Sequence, residues 1–221
     1  MKLVVFDLDH TLLSGDSDAL WYDFLLARGG LDRAAFEVRN AEVERGYRDG
    51  SITPKMFCDF YLSTLAGRSR EQLDPLRDAF VCECIVPRIA PAARALVGAH
   101  RSANDLLVLS TATNRYLTEL TAAIFGFEHV IATEPEEVEG AFTGRFVGTL
   151  NMREGKVQRL HEWLAAMALP AELIRSARFY SDSINDLPLL QSVGEPVAVD
   201  PDERLLAHAK VQGWRVLRLE R

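Results

Sequence analysis

The chain has 221 residues, 48% of them hydrophobic and 26% charged, which suffices for one sizeable core with a smaller appended unit. Its formal net charge of −7 and its lack of a basic run argue against nucleic acid as a partner, because such binding rests on Lys and Arg neutralising phosphates. No stretch approaches the roughly 20 apolar residues that span a bilayer, and no signal-peptide cleavage pattern opens the chain, so no membrane association and a cytoplasmic location are expected.

In chain order, a short apolar run, Leu3 to Phe6, stops at Asp7 and reads as a buried parallel strand. Residues 14–87 then carry four helical segments with no good strand candidate. Thr53 followed by Pro54 marks a helix start, Ser69 with Gln72 forms a capping-box pattern, and Pro87 ends the last segment. Leu20, Phe24, Phe36, Val43, Phe57, Tyr61, Leu73, Phe80 and Val81 are expected to give this insert a small core of its own. The cysteines Cys58, Cys82 and Cys84 are an odd number and read as reduced thiols.

Beyond the insert, Leu106 to Leu109 forms a second strand that stops at Ser110 and Thr111, and Asn114 to Phe125 reads as a helix closed by Gly126. Thr133 to Val147 looks like a strand and a hairpin, with Gly140 and Gly144 as turn residues. A helix from Lys156 to Met167 follows, then the strand Phe179 to Tyr180, which stops at Ser181 and Asp182. Strands alternating with helices imply an α/β fold with a doubly wound, Rossmann-like parallel sheet. Residues 1–13 and 88–221 would form this core domain, and residues 14–87 an inserted helical-bundle cap domain. Ligands of such sheets bind outside the carboxyl ends of the strands, so the three polar stops should converge on one crevice with the insert over it as a lid.

Two carboxylates at Asp7 and Asp9 on a turn leaving a buried strand repel each other unless a cation or a proton compensates. Mg²⁺ would do so, since it takes oxygen ligands and keeps several waters. One aspartate could attack phosphorus while the other gives and later takes a proton. The bland alternative is a solvated turn with Asp caps. Ser181-Asp182-Ser183-Ile184-Asn185-Asp186 offers a further carboxylate at a strand end, with Ser183, Asn185 and Asp186 close behind to orient ligands, or else a simple turn and helix cap. Ser110-Thr111-Ala112-Thr113-Asn114 ends a strand and opens a helix, where a hydroxyl and free N–H groups can cradle phosphate, unless Thr113 or Asn114 merely caps the helix. Lys156 falls in the first turn of its helix, disfavoured there by about 0.3 to 1 kcal/mol, which suggests another task.

Taken in the order Asp-x-Asp-x-Thr, Ser/Thr, Lys, Asp-x-x-x-Asp, these parts resemble the haloacid dehalogenase superfamily of hydrolases. The helical insert after the first motif and the wording Ser-Asp-Ser-Ile-Asn-Asp-Leu-Pro-Leu-Leu are similar to its phosphoserine-phosphatase-like branch, subfamily IB. That resemblance implies a Mg²⁺-dependent phosphomonoesterase with Asp7 as nucleophile and Asp9 as general acid and base. It implies Mg²⁺ ligation by Asp7, Asp182 and the backbone carbonyl of Asp9, phosphate binding by Thr111 or in its place Ser110, transition-state support by Lys156, and help from Asn185 and Asp186.

The chain departs from phosphoserine phosphatases in having His10 after the second aspartate and Asp16 near the position of their Glu. Asp16 either caps a helix or meets a substrate ammonium group. Asp-His-Thr-Leu, Thr-Ala-Thr-Asn and Arg-Glu-Gly-Lys are similar to bacterial members assigned as histidinol-phosphate phosphatases. The expected substrate is thus a small amino-bearing phosphorylated metabolite, histidinol phosphate first and phosphoserine second, with a monomer or homodimer as the assembly. A phosphotransferase or mutase passing the phosphoryl group to an acceptor, and a non-catalytic phosphate-ligand module, are the competing readings. Trp21, Tyr22, Arg39, Glu42 and Arg45 of the lid are candidates for selecting the substrate. His10 is expected to turn away from the ligand, and His100, His129, His161 and His208 to lie at the surface or on helix faces.

Overall fold

The computed structural model describes residues 2–30 and 32–220; residues 1 and 221, the outer ends of the expected core domain, and residue 31 of the expected insert lie outside the described residues. Strand β1 (Leu3–Phe6) is buried at every position. The chain then turns into four helices, α1 (Ser17–Ala27), α2 (Arg33–Asp49), α3 (Pro54–Leu62) and α4 (Arg70–Phe80), the last running on through a π turn, Val81–Ile85, and a 3-10 turn, Val86–Arg88. Local chemistry sets their starts. Asp16, Asp32, Thr53 and Ser69 cap α1 to α4, Pro54 occupies the first turn of α3, and Ser69 with Gln72 closes a full capping box.

Helix α5 (Pro91–Ser102) leads into β2 (Leu106–Asn114), α6 (Arg115–Phe125) and β3 (His129–Val138). Glu139 and Gly140, both at positive φ, turn β3 back into β4 (Ala141–Val147). Gly144 is therefore not a turn residue but lies inside β4. The chain continues through α7 (Glu154–Ala166), a 3-10 turn, Ala171–Ser176, and β5 (Arg178–Ser181) to α8 (Leu187–Ser192), β6 (Glu195–Val199), α9 (Glu203–Gln212) and β7 (Arg215–Leu217). The seven strands lie in the order β4-β3-β2-β1-β5-β6-β7, parallel except for the β3/β4 hairpin. No helix among the described residues is long and apolar enough to cross a membrane.

The register places the site. Phe6 pairs with Leu109 on one side and with Tyr180 on the other, so the residues that come next, Asp7, Ser110 and Ser181, lie side by side. The chain passes from β1 outward through β2 and β3, then returns to the other flank of β1 at β5, and ligands bind at such a reversal of strand order. Because side chains alternate along a strand, Leu3 and Val5 pack with Leu160, Leu189 and Leu205, whereas Val4 and Phe6 face the opposite side. On that second side the insert does not form a separate core: Trp21, Phe24, Leu62, Leu73 and Phe80 belong to the same apolar cluster as Phe6 and Tyr180.

His100, expected at the surface or on a helix face, lies on the inward face of α5 at 9% exposure. Its ring lies 2.8 Å from both the Asp105 carboxylate and the Tyr180 hydroxyl, at the edge of the Phe6–Tyr180 ring stack, because the last turn of α5 crosses that stack. Gly144 sits at φ +81°, and an added Cβ would lie 2.9 Å from Ala66 Cβ and 3.3 Å from Ser63 Cα, where β4 meets the turn after α3. Gly144→Ala should lower unfolding free energy by about 1–3 kcal/mol through both strain and overlap, read from urea denaturation against wild type.

Candidate active site

The centre of the crevice is an ammonium group held between two carboxylates. Lys156, 2% exposed, places Nζ 2.8 Å from Asp7 Oδ1 and 2.6 Å from Asp186 Oδ2. A tight turn delivers it: a Cβ at Gly155 would lie 2.0 Å from the Leu150 carbonyl oxygen, so only glycine lets the chain fold back immediately before Lys156. Ser181 Oγ donates to the same Asp186 oxygen at 2.7 Å, which fixes Asp186 in turn. Thr11 joins the neighbouring carboxylates. Its hydroxyl lies 3.1 Å from Asp7 Oδ2 and 3.0 Å from Asp182 Oδ1, and it accepts from the Asp182 N–H at 3.0 Å.

Asp9 faces this group from the turn after β1. Its Oδ1 accepts from the Ser17 N–H at 2.8 Å and from the Ser17 hydroxyl, and its Oδ2 accepts from Thr113 Oγ1 at 2.7 Å. Burial, countered by Lys156 and reinforced by the charges of Asp186 and Asp9, pushes Asp7 up to about 7. Burial and the Asp16 charge push Asp9 up to about 6 against the Ser17 and Thr113 hydrogen bonds. Asp182, buried beside Asp7, rises to about 8. Burial alone would lower Lys156, but Asp186 and Asp7 hold it above the ordinary lysine range, so it stays charged.

The crevice encloses about 190 Å³. Ser183 and Asn185 line it from the β5 side, and the insert contributes Asp16, Asp18, Tyr47, Phe57 and Cys58. Asp16 caps α1, its Oδ1 accepting from the Ala19 N–H at 2.9 Å, and it also lines the crevice. The lid candidates are placed otherwise. Trp21 is buried with Nε1 on Thr64, Tyr22 stacks on Phe36, and Arg39 pairs with Glu42 at the surface. His10 is exposed at φ 55° and borders the crevice. A larger hollow of about 570 Å³ on the insert, lined by Phe36, Val43, Met56 and Phe60, lies apart from these groups.

Ser110 and Thr111 are both fully buried at the end of β2, the former accepting from Asn151 Nδ2 at 3.2 Å and the latter from the Thr113 N–H at 3.2 Å. Ala112 and Thr113 are the residues of that segment lining the crevice, while Asn114 caps α6. Thr11, Thr113, Asp18 and Asn151 had not been singled out as site residues. Thr11 was legible as the last letter of Asp-x-Asp-x-Thr; the others depend on where distant loops meet.

The donor set fits a hard divalent cation. Among the described residues no three His, Cys, Asp or Glu side chains form a metal cage by themselves. Asp7 and Asp182 nevertheless share one hydroxyl proton and are both pushed toward neutrality, which a cation would reverse. Two carboxylates and the Asp9 carbonyl would leave the remaining positions to water and substrate oxygens.

A doubly wound sheet whose carboxyl end gathers these aspartates and a buried lysine beneath a helical insert defines a hydrolase site, and the comparisons agree. The family model of haloacid dehalogenase-like hydrolases matches residues 4–191, and the chain belongs to that family as a phosphatase-type enzyme. It is 40% identical over 217 residues to a histidinol-phosphatase of Neisseria meningitidis, covering 98% of both chains. It is 31% identical over 214 residues to a phosphoserine phosphatase of Mycobacterium tuberculosis, covering 96% of this chain and 68% of that one. Among solved structures, a protein of unknown function from Bordetella pertussis superposes with a TM-score of 0.93 at 41% identity, covering 98% of this chain and 97% of that one. A phospho-aspartyl intermediate analogue of phosphoserine phosphatase shares the fold, with a TM-score of 0.70 at 14% identity and coverage of 100% and 94%.

Without a cation, the raised Asp182 makes folding favour the protonated state. The native protein keeps a proton that the unfolded chain has lost from near pH 4 to near pH 8, so cation-free stability falls as pH rises through that window. Asp182→Asn in EDTA should therefore match wild type near pH 4 and gain on it progressively as pH rises toward 8, read from thermal midpoints at successive pH values.

Proposed function

We propose that the chain hydrolyses small amino-bearing phosphomonoesters, histidinol phosphate foremost, through an aspartyl phosphate on Asp7. The observation that carries this is the buried Lys156 clamped between Asp7 and Asp186, with Asp9 across the crevice. Lys156 orients Asp7 for in-line attack and supplies positive charge to phosphoryl oxygens beside several anions. Asp7 Oδ attacks phosphorus and the ester P–O bond breaks. Asp9, held near neutrality, gives its proton to the leaving oxygen. In the second half-reaction Asp9 takes a proton from water as that water attacks phosphorus, and inorganic phosphate leaves with Asp7 restored. Asp7, Asp182 and the Asp9 carbonyl would hold Mg²⁺, which when bound neutralises phosphoryl charge. Ala112 and Thr113 supply the remaining phosphate-side groups, with Asn185 and Ser183 on the opposite rim.

The substrate reading rests on the insert's wall of the crevice. Asp16 and Asp18 put acid side chains into the crevice wall, and Tyr47 and Phe57 add ring faces, a combination suited to an ammonium group and a flat heterocycle. The name of the Neisseria relative points the same way. The insert over residues 14–87 acts as the cap that closes this wall on the substrate.

Phosphate release from histidinol phosphate, phosphoserine, phosphoethanolamine and sugar phosphates tests the proposal. EDTA should abolish turnover and Mg²⁺ should restore it. Histidinol phosphate should lead by about a hundredfold in kcat/KM, and equal rates across the panel would remove the substrate assignment. Asp7→Asn should cost roughly a thousandfold or more in kcat, and an unimpaired variant would rule out the covalent route. Asp16→Asn should raise KM for amino-bearing substrates about tenfold and leave sugar phosphates little changed.

A further inference from the structure

Strands β2 and β3 lose register where the phosphate-side groups lie. Ser110 pairs with Ile131 and Asn114 with Thr133, so Thr111, Ala112 and Thr113 stand against Ala132 alone. A regular parallel ladder cannot take up the carbonyls of such a bulge, and buried carbonyls need donors. Two side chains supply them. Asn151, fully buried between β4 and α7, sets Nδ2 2.8 Å from the Thr111 carbonyl, 2.9 Å from the Ile131 carbonyl and 3.2 Å from Ser110 Oγ. From the other side Thr133 Oγ1 donates to the Ala112 carbonyl at 2.7 Å, and the Asn151 N–H reaches that same hydroxyl at 3.4 Å.

The Asn151 amide is used for its donors alone. Its Oδ1 is buried without a hydrogen-bond partner, a cost that a side chain present only to fill space would not carry. What the bulge accomplishes is visible at Thr113: its N–H closes on Thr111 Oγ1 and its hydroxyl donates to Asp9 Oδ2 at 2.7 Å. The loop that carries Asn151 also leads directly into Gly155 and Lys156. We infer that Asn151 is a positioning residue: it holds the β2 bulge open so that Ala112 and Thr113 line the crevice and Thr113 bonds Asp9, and it locks that segment to the loop delivering Lys156. The inference rests on reading the crevice as a phosphoryl-transfer site.

Asn151→Leu keeps the shape and removes both donors, and Thr133→Val removes the hydroxyl on the opposite side of the same bulge at nearly constant volume. With Mg²⁺ present, each should lower kcat about tenfold or more and weaken inhibition by orthovanadate, a phosphoryl mimic, to a similar degree. Inhibition by L-histidinol, the dephosphorylated product, should stay within about twofold, because that ligand does not use the bulge. If Asn151→Leu does not fold, Thr133→Val alone must give this signature. Wild-type kcat and vanadate affinity in the folded variants would overturn the inference, as would vanadate and histidinol affinities falling together in step with Tm. A wild type that neither turns over nor binds vanadate would instead overturn the phosphatase reading. Amide hydrogen exchange at Thr113 would then decide the matter, faster in Asn151→Leu if the side chain holds the bulge and unchanged if it does not.

Discussion

Burying the Lys156 ammonium between Asp7 and Asp186 is the constraint around which the molecule is arranged. A lysine at 2% exposure would be untenable alone, and so would two carboxylates near the end of one sheet; each makes the other possible. The cation sits in the first turn of α7, against the helix dipole, and the two anions more than offset that placement. The tight turn at Gly155 and the Ser181 bond to Asp186 follow from the need to hold three charged groups in one fixed geometry. Charge remains unbalanced after this pairing, since Asp9 and Asp182 are both driven toward neutrality. That residual excess of negative charge is what suits the site to a divalent cation and a proton-transferring acid.

Strand order determines who can join the cluster. β2 and β5 flank β1, so the segments leaving them run beside Asp7, while Lys156 reaches it from the start of α7. β5 contributes through Asp182 and Asp186, which its register brings level with the end of β1. β2 contributes by breaking register, and its bulge converts a strand end into a lining segment supported by Asn151 and Thr133. The insert completes the enclosure from above. Sharing one apolar cluster with Phe6 and Tyr180, it is anchored on the sheet face at the same time as Asp16, Asp18, Tyr47 and Phe57 reach the crevice.

Much of this was legible in the residues alone. The runs Leu3–Phe6 and Leu106–Leu109 are apolar because both faces of their strands are covered, and each announces its strand, although β2 runs past the expected stop at Ser110 to Asn114. Thr53-Pro54, Ser69 with Gln72, and Gly126 mark helix ends through local capping chemistry, which acts over a few residues. Lys156 betrayed itself as a cation at the wrong end of a helix. Gly144 was misread because its surroundings come from a remote segment, the turn after α3, and the burial of His100 on its helix face likewise depends on distant Tyr180.

The sequence by itself determined the alternation of strands and helices, the insert after the first motif, and the identity of the charged groups, because those depend on periodicity, capping and residue chemistry within short windows. Tertiary structure alone decided which of them meet. That Thr113 rather than Thr111 touches Asp9, that Asn151 reaches across to the Thr111 carbonyl, and that Asp18, Tyr47 and Phe57 rather than Tyr22 or Arg39 wall the crevice are consequences of pairing register and helix docking. Such contacts join residues far apart in the chain, and no local pattern encodes a distance between them.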